Sequence, residues 1–227
     1  MTVDRRFVLK GMVLGAAGVV LSRSVSVLGG VAPSPVHGDV RPALALVGNG
    51  TAGSAFVQGA RAAVGTRLHV QQVSPDLGFM LDLERQLRAG RPMRIIGLLD
   101  DASAVLVLDL ARSAGGRIHW LGQHTGEAGM TRHHLLNTDL AEGCTRQLSR
   151  QLHACGVGFT LNEERQGSTA PVRQLAGPAR NGAGSAQWAA SVGYLLAALG
   201  TRPTMTPRVP AQSALLSGSF VSLSIEA

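Results

Sequence analysis

From Ala43 onward the chain alternates between two hydrophobic periods, and no other feature restricts its fold as much. Ala43–Val47 is a short apolar run ending in glycines, which predicts a buried strand. Ser54–Val64 follows with Phe56, Val57, Ala60 and Val64 on one helical face. Leu68–Val73 predicts a second strand. Asp76 predicts the cap of a helix reaching Arg88, with Leu77, Met80, Leu81 and Leu87 inward. Arg94–Leu99 predicts a third strand, and Asp101 the cap of a helix over Ala102–Ser113. That helix is apolar nearly all round, which predicts burial. Gly115-Gly116 closes it, and Ile118–Leu121 predicts a fourth strand.

Strand and helix in regular alternation point to an α/β fold: a three-layer, Rossmann-like, doubly wound, mostly parallel sheet with helices on both faces. After Gln123 the pattern weakens. Long loops are expected at 124–138, 165–184 and 201–217. Between them, Leu140–His153 reads as a helix and Val157–Leu161 as a strand. Ser185 predicts a cap for a helix with Trp188, Val192, Leu195, Leu196 and Leu199 inward. Ser219–Ile225 alternates serine with apolar residues and predicts an edge-like strand. Residues 43–227 are therefore expected to form a single domain, large enough to bury a proper core.

The stretch before this domain reads Asp4-Arg5-Arg6-Phe7-Val8-Leu9-Lys10-Gly11, then a small and apolar run from Met12 to Leu21. It resembles the twin-arginine (Tat) export signal of bacteria, with Asp4 where that family has Ser or Thr. The resemblance implies a signal peptide over 1–32, a linker over 33–42, and recognition of Arg5 and Arg6 by the Tat translocase. It also implies a periplasmic destination reached in the folded state. Met12–Leu21 falls short of the roughly 20 residues that span a bilayer. No stable membrane span is expected after cleavage, with an uncleaved N-terminal anchor as the alternative.

Composition excludes several functions. The net charge is +7, and Arg5, Arg6, Lys10 and Arg23 against Asp4 put +3 of it in the signal, leaving +7 − 3 = +4. Those charges are scattered with few aromatics between them, so no nucleic-acid partner is expected. Lys10 is the only lysine, so the domain has none for a Schiff base or a phosphate-binding P-loop. Tyr194 is the only tyrosine, which removes a Tyr/Lys dehydrogenase pair. Two cysteines cannot hold a four-cysteine iron–sulfur cluster. Cys144 and Cys155 flank a helical stretch about 16 Å long and read as small core residues.

Ligands of open parallel sheets bind outside the carboxyl ends of the strands. The loops expected there hold Asn49, Gly50, Thr51 and Gly53, then Ser74, then Asp100 and Ser103, then Gln123 and His124. This polar set on an apolar frame suits a small polar molecule, held by the loop amides of 50–53 and these side chains. Gly48-Asn49-Gly50-Thr51-Ala52-Gly53 matches G-x-G-x-x-G between a strand and a helix. A dinucleotide site also wants an acid closing the second strand, where Ser74 stands and Asp76 is displaced past Pro75. Leu46-Val47 with Gly53-Ser54-Ala55-Phe56-Val57-Gln58-Gly59-Ala60, and Ile95–Leu99 before Asp100-Asp101-Ala102-Ser103, also resemble the opening of type I periplasmic binding proteins. That likeness covers Ala43 to about His124 and implies one ligand-binding lobe.

Catalysis finds no anchor. Asp100-Asp101 and Glu163-Glu164 are neighbours that do not converge, and there is no G-x-S-x-G nucleophile elbow. His124, Glu127, Met130, His133 and His134 suit copper by residue type but not by spacing. They read as solvent-facing loop residues, and no metal site is expected. The expectation is an exported, non-catalytic small-ligand-binding or accessory protein. The alternatives are an exported oxidoreductase carrying a pre-bound nicotinamide (NAD(P)) or flavin cofactor, and a partner subunit exported in complex.

Overall fold

A computed structural model describes residues 43–48, 51, 54–127, 129–180, 186–200 and 216–227. The export signal and linker lie outside the described residues, as do Asn49, Gly50, Gly53, the Ser185 cap and 201–215. In chain order the elements are β1 (Ala43–Val47), α1 (Ala55–Val64), β2 (Leu68–Gln72), α2 (Leu77–Arg88), β3 (Arg94–Leu99) and α3 (Asp101–Ser113). Then come β4 (Arg117–Glu127), β5 (Met130–Asn137), α4 (Cys144–Ala154), β6 (Gly158–Arg165), β7 (Arg173–Gly177), α5 (Gln187–Ala197) and β8 (Gly218–Glu226).

The class is α/β, around one eight-stranded sheet in the order β2-β1-β3-β8-β4-β5-β6-β7. The sheet is mixed, not mostly parallel. β1 pairs parallel with β2 and β3, and β5 with β6, while β3–β8, β8–β4, β4–β5 and β6–β7 are antiparallel. The parallel expectation holds where strands alternate with helices, since a crossover helix returns the chain to the same edge. It fails at the β4–β5 hairpin, at β6–β7 and on both sides of β8, while β5 and β6, joined through α4, are again parallel.

Three corrections concern strands. The expected loop over 124–138 is largely the β4–β5 hairpin, paired from Trp120↔Asn137 to Glu127↔Met130. Its glycines suggested a turn, but Gly122 marks a close approach inside a strand. A Cβ there would stand 2.6 Å from Ser222 Oγ and 2.8 Å from His124 Nε2. The expected loop over 165–184 contains β7, which borders β6. The expected edge strand, β8, is central, with Ser222 and Ser224 fully buried between β3 and β4. Serine alternation resembles a solvated face, yet the Ser222 hydroxyl is bonded within the core to Trp120 and His124, which lowers the cost of its burial, while that of Ser224 has no hydrogen-bond partner among the described residues.

Helix phases follow the same logic. The inward face expected of α1 is observed, and so is that of the 186–200 segment. In α2 the buried residues are Phe79, Leu83 and Leu87, while Leu77 is 72% and Leu81 48% exposed. Capping at Asp76 puts Leu77 at the first helical position, and the buried face runs through positions 79, 83 and 87. In α3, Ala104, Val107, Leu108 and Ala111 are buried, but Val105 and Leu106 face out, so that helix is not buried all round. Its cap is Asp100, not Asp101.

The main core joins alternate residues Ala43, Ala45 and Val47 of β1 with α1, α4 and α5. α1 and α5 cross at backbone contact. A Cβ on Gly59 would lie 1.9 Å from the Ala190 carbonyl oxygen, and one on Gly193 2.1 Å from that of Phe56, so only glycine fits at either position. Cys144 opens α4 and Cys155 caps its end, and both are free thiols. Burial raises both thiol pKa values, that of Cys144 to about 11, with the Glu163 carboxylate adding to the rise. Neither is poised as a nucleophile. The described residues fall within one compact unit spanning Gly38–Ala227. Among them no helix is long and apolar enough to cross a membrane.

Candidate functional site

Parallel pairing puts the carboxyl ends of β1, β2 and β3 along one edge, and the hydrogen bonds show how close they are. The Val73 amide donates to the Val47 carbonyl at 2.9 Å, and the Gly48 amide to the Leu98 carbonyl at 3.2 Å. A Cβ on Gly48 would stand 3.7 Å from both the Asp100 amide nitrogen and its Oδ2. The segments after these strands therefore meet. Gln123 shares this level, since both Leu99 and Gln123 pair with Val221 of β8. It lies inside β4, half-buried, rather than in a loop.

Two helices leaving this edge are capped by acids. Asp76 accepts from the Phe79 amide at 2.8 Å, and Asp100 accepts from the Ser103 amide at 2.9 Å and the Ser103 hydroxyl at 2.8 Å. Both carboxyls are held below their ordinary range, Asp76 first by the Ser74 hydroxyl and then the Phe79 amide, Asp100 first by the Ser103 amide. Asp76 is thereby committed to its helix, which accounts for the missing acid of a dinucleotide fingerprint. Thr51 is buried, and its hydroxyl donates to the Gly48 carbonyl at 2.8 Å, which locks the turn instead of facing a ligand.

The third helix differs. Ser54 holds the N-cap position of α1 in extended geometry, yet its side chain makes no cap hydrogen bond. The residue is 7% exposed, and its hydroxyl has no hydrogen-bond partner among the described residues. The first turn of α1 contains no acidic residue. A helix start presents amide donors and partial positive charge, and here no side chain among the described residues answers them. Ser54 had been only a helix boundary in the sequence. Its position directly after a G-x-G-x-x-G loop was the available signal.

His124, expected as a ligand contact, is fully buried in the core. β4–β5 pairing sets His124 opposite His133, and their Nδ1 atoms are 2.8 Å apart. His124 Nε2 lies 2.6 Å from Ser222 Oγ, which accepts from Trp120 Nε1 at 2.8 Å. His133 Nε2 lies 3.0 Å from Thr131 Oγ1, which donates to the Gly158 carbonyl at 3.3 Å. The ends fix the direction, because indole N–H can only donate and a carbonyl can only accept. Trp120 donates to Ser222, Ser222 to His124 Nε2, His124 Nδ1–H to His133 Nδ1, His133 Nε2–H to Thr131, and Thr131 to Gly158. Both imidazoles are neutral in this chain. Burial lowers the His133 pKa to about 3, and burial first, then the cost of placing a second charge beside His133, holds His124 well below the usual value. Trp188 closes the group, its ring 5.2 Å from His124 and 5.8 Å from His133, with Phe220 a further 6.0 Å away.

This arrangement holds a core together and leaves no imidazole nitrogen for a substrate. The five residues that suit copper are dispersed by the hairpin. His133 points inward and His134 outward, where His134 Nε2 lies 3.4 Å from Glu164 and Glu127 lies 3.6 Å from Arg132. Among the described residues, no three His, Cys, Asp or Glu side chains come together as metal ligands. Glu163 is not a surface acid either. It is buried and accepts from Asn137 at 2.9 Å, Thr145 at 2.6 Å and Arg173 at 3.2 Å. No protein-family model, curated protein or solved structure matches this chain.

Proposed function

We propose that this is an exported, non-catalytic small-ligand-binding protein, built as one three-layer Rossmann-like lobe. It captures a polar or anionic group at the carboxyl edge of β1 and β3. The observation that carries the reading is the uncapped start of α1. Of three helices leaving one edge, two are closed by Asp76 and Asp100, and the third opens beside Asp100 with the buried Ser54 hydroxyl unpartnered. Helix starts of this kind take anionic groups on their amides. In this reading the Ser54 hydroxyl and backbone amides within residues 50–53 hold the ligand, and Ser74, Asp100, Ser103 and Gln123 line its approach. Arg5 and Arg6 direct the folded protein through the Tat translocase to the periplasm.

The test is Ser54→Asp. A carboxylate there satisfies the helix start and repels an anion, so the variant gains stability and loses the ligand. Native mass spectrometry of gently purified protein is expected to show a small non-covalent adduct on the natural chain and none on S54D. An adduct retained by S54D overturns this site. A flavin or nicotinamide spectrum from the same preparation replaces it with the oxidoreductase reading.

A further inference from the structure

A second concave surface lies away from this edge, between α4 and β7. It is a hollow of ≈ 390 Å³ lined by Gly143, Arg146, Ser149, Arg150 and Leu175. Arg146, Ser149 and Arg150 stand at i, i+3 and i+4 on α4, so they share one helical face. Neither guanidinium has a carboxylate partner among the described residues. The acids nearest in sequence and sheet are already taken, Asp139 and Glu142 by Arg165 and Glu163 by Arg173. Gly143 is the N-cap of α4, offers no side-chain cap, and is followed by a first turn without an acid. Two forked cations, a hydroxyl and a positive helix end therefore converge on a space lined by no negative charge. Leu175, packed on the core from β7, gives the hollow an apolar wall.

We infer that this hollow is a binding site for a small molecule bearing an oxyanion, a phosphate ester or a carboxylate, on an apolar body. The volume falls within the range of small-ligand pockets, roughly 300–1,000 Å³. A guanidinium grips an oxyanion through two parallel N–H···O bonds, and the two arginines can clamp it from either side of the Ser149 hydroxyl. The apolar body rests on Leu175. This site is independent of the α1 start and does not depend on the reading given to it.

Phenyl phosphate, benzoate and inorganic phosphate are the probes, titrated against the full domain by calorimetry or amide NMR. The expected result is saturable binding of phenyl phosphate or benzoate, tighter than inorganic phosphate. R146Q/R150Q should weaken it about tenfold or more, and Leu175→Ala should remove the preference for the ring. All three side chains line a surface hollow, and unchanged circular dichroism confirms folding. R146K/R150K keeps the charge and loses the fork. Weakened binding by that variant supports a built site, and full affinity overturns it in favour of bulk charge. S54D separates the two sites, because it should leave phenyl phosphate affinity unchanged. Loss of binding in S54D but not in R146Q/R150Q moves the anion to α1 and overturns this proposal. No saturable binding, or saturable binding only to a poly-glutamate peptide, overturns it as well.

Discussion

Asp100 and His124 each lie one residue past the level of Val221, and the polar groups around them are built in opposite ways. Asp100 and Ser103 are three residues apart in sequence, face solvent and cap a helix with local bonds. His124, His133 and Ser222 are separated by 9 and 98 residues, are sealed from solvent, and form one directional chain. The first group can lose a member and let water replace it. The second cannot, because each donor is the sole partner of the next acceptor. A polar network tolerates change in proportion to its access to water, and these groups mark the two ends of that scale.

Breaking the sealed group should have the largest effect. His124→Ala leaves a cavity beside Trp188 and orphans His133 and Ser222, and is expected to cost about 3–5 kcal/mol in denaturant unfolding. Acid comes next. The folded pKa of His133 is about 3, below the ordinary histidine value of 6.5, and His124 is likewise lowered. The unfolded chain therefore takes up protons first as pH falls. Stability from this pair is complete above about pH 6.5 and drains away towards pH 3, by up to about 1.4 kcal/mol per pH unit for each histidine. His119, also lowered by burial, adds in the same direction. A midpoint series from pH 7.5 to 4.5 checks this, and a flat series refutes neutral burial of the pair. Ser222→Ala should cost about 1–3 kcal/mol, since Trp120 loses its acceptor and His124 its donor. The smallest effect belongs to the open group: Asp100→Ala should cost about 1 kcal/mol, the usual worth of a cap. If D100A matched S222A, the contrast between the groups would collapse. Combined in one chain, the two should add within about 0.5 kcal/mol.

The same division explains what was legible in the sequence. From β1 to α3 the partners are near in sequence, β1 and β3 are apolar runs and each helix follows a serine or aspartate, so the residues announce their elements. Beyond Leu121 structure depends on who lies alongside. Gly122 looks like a turn until Ser222 is known to press against it. His124 looks like a ligand until His133 faces it. Ser222 and Ser224 look solvated until two strands close around them. The Asp76 cap could be read from residue type, and that of α3 only to within one residue, Asp100 in place of Asp101, whereas the unanswered Ser54 could not, because an orphan is defined by what surrounds it. Arg146 and Arg150 gave no motif at all. Only the folding of β7 beside α4 turns them into a hollow.

The position of β8 has a temporal meaning. The strands β2, β1 and β3 share no hydrogen bond with β4, β5, β6 and β7 except through β8, which is synthesised after all of them. Without it the inner edges of β3 and β4 have no ladder partner, and Trp120 and His124 lack the serine that joins them. The domain thus carries its own completion signal. The sheet becomes continuous only when β8 pairs with β3 on one side and β4 on the other.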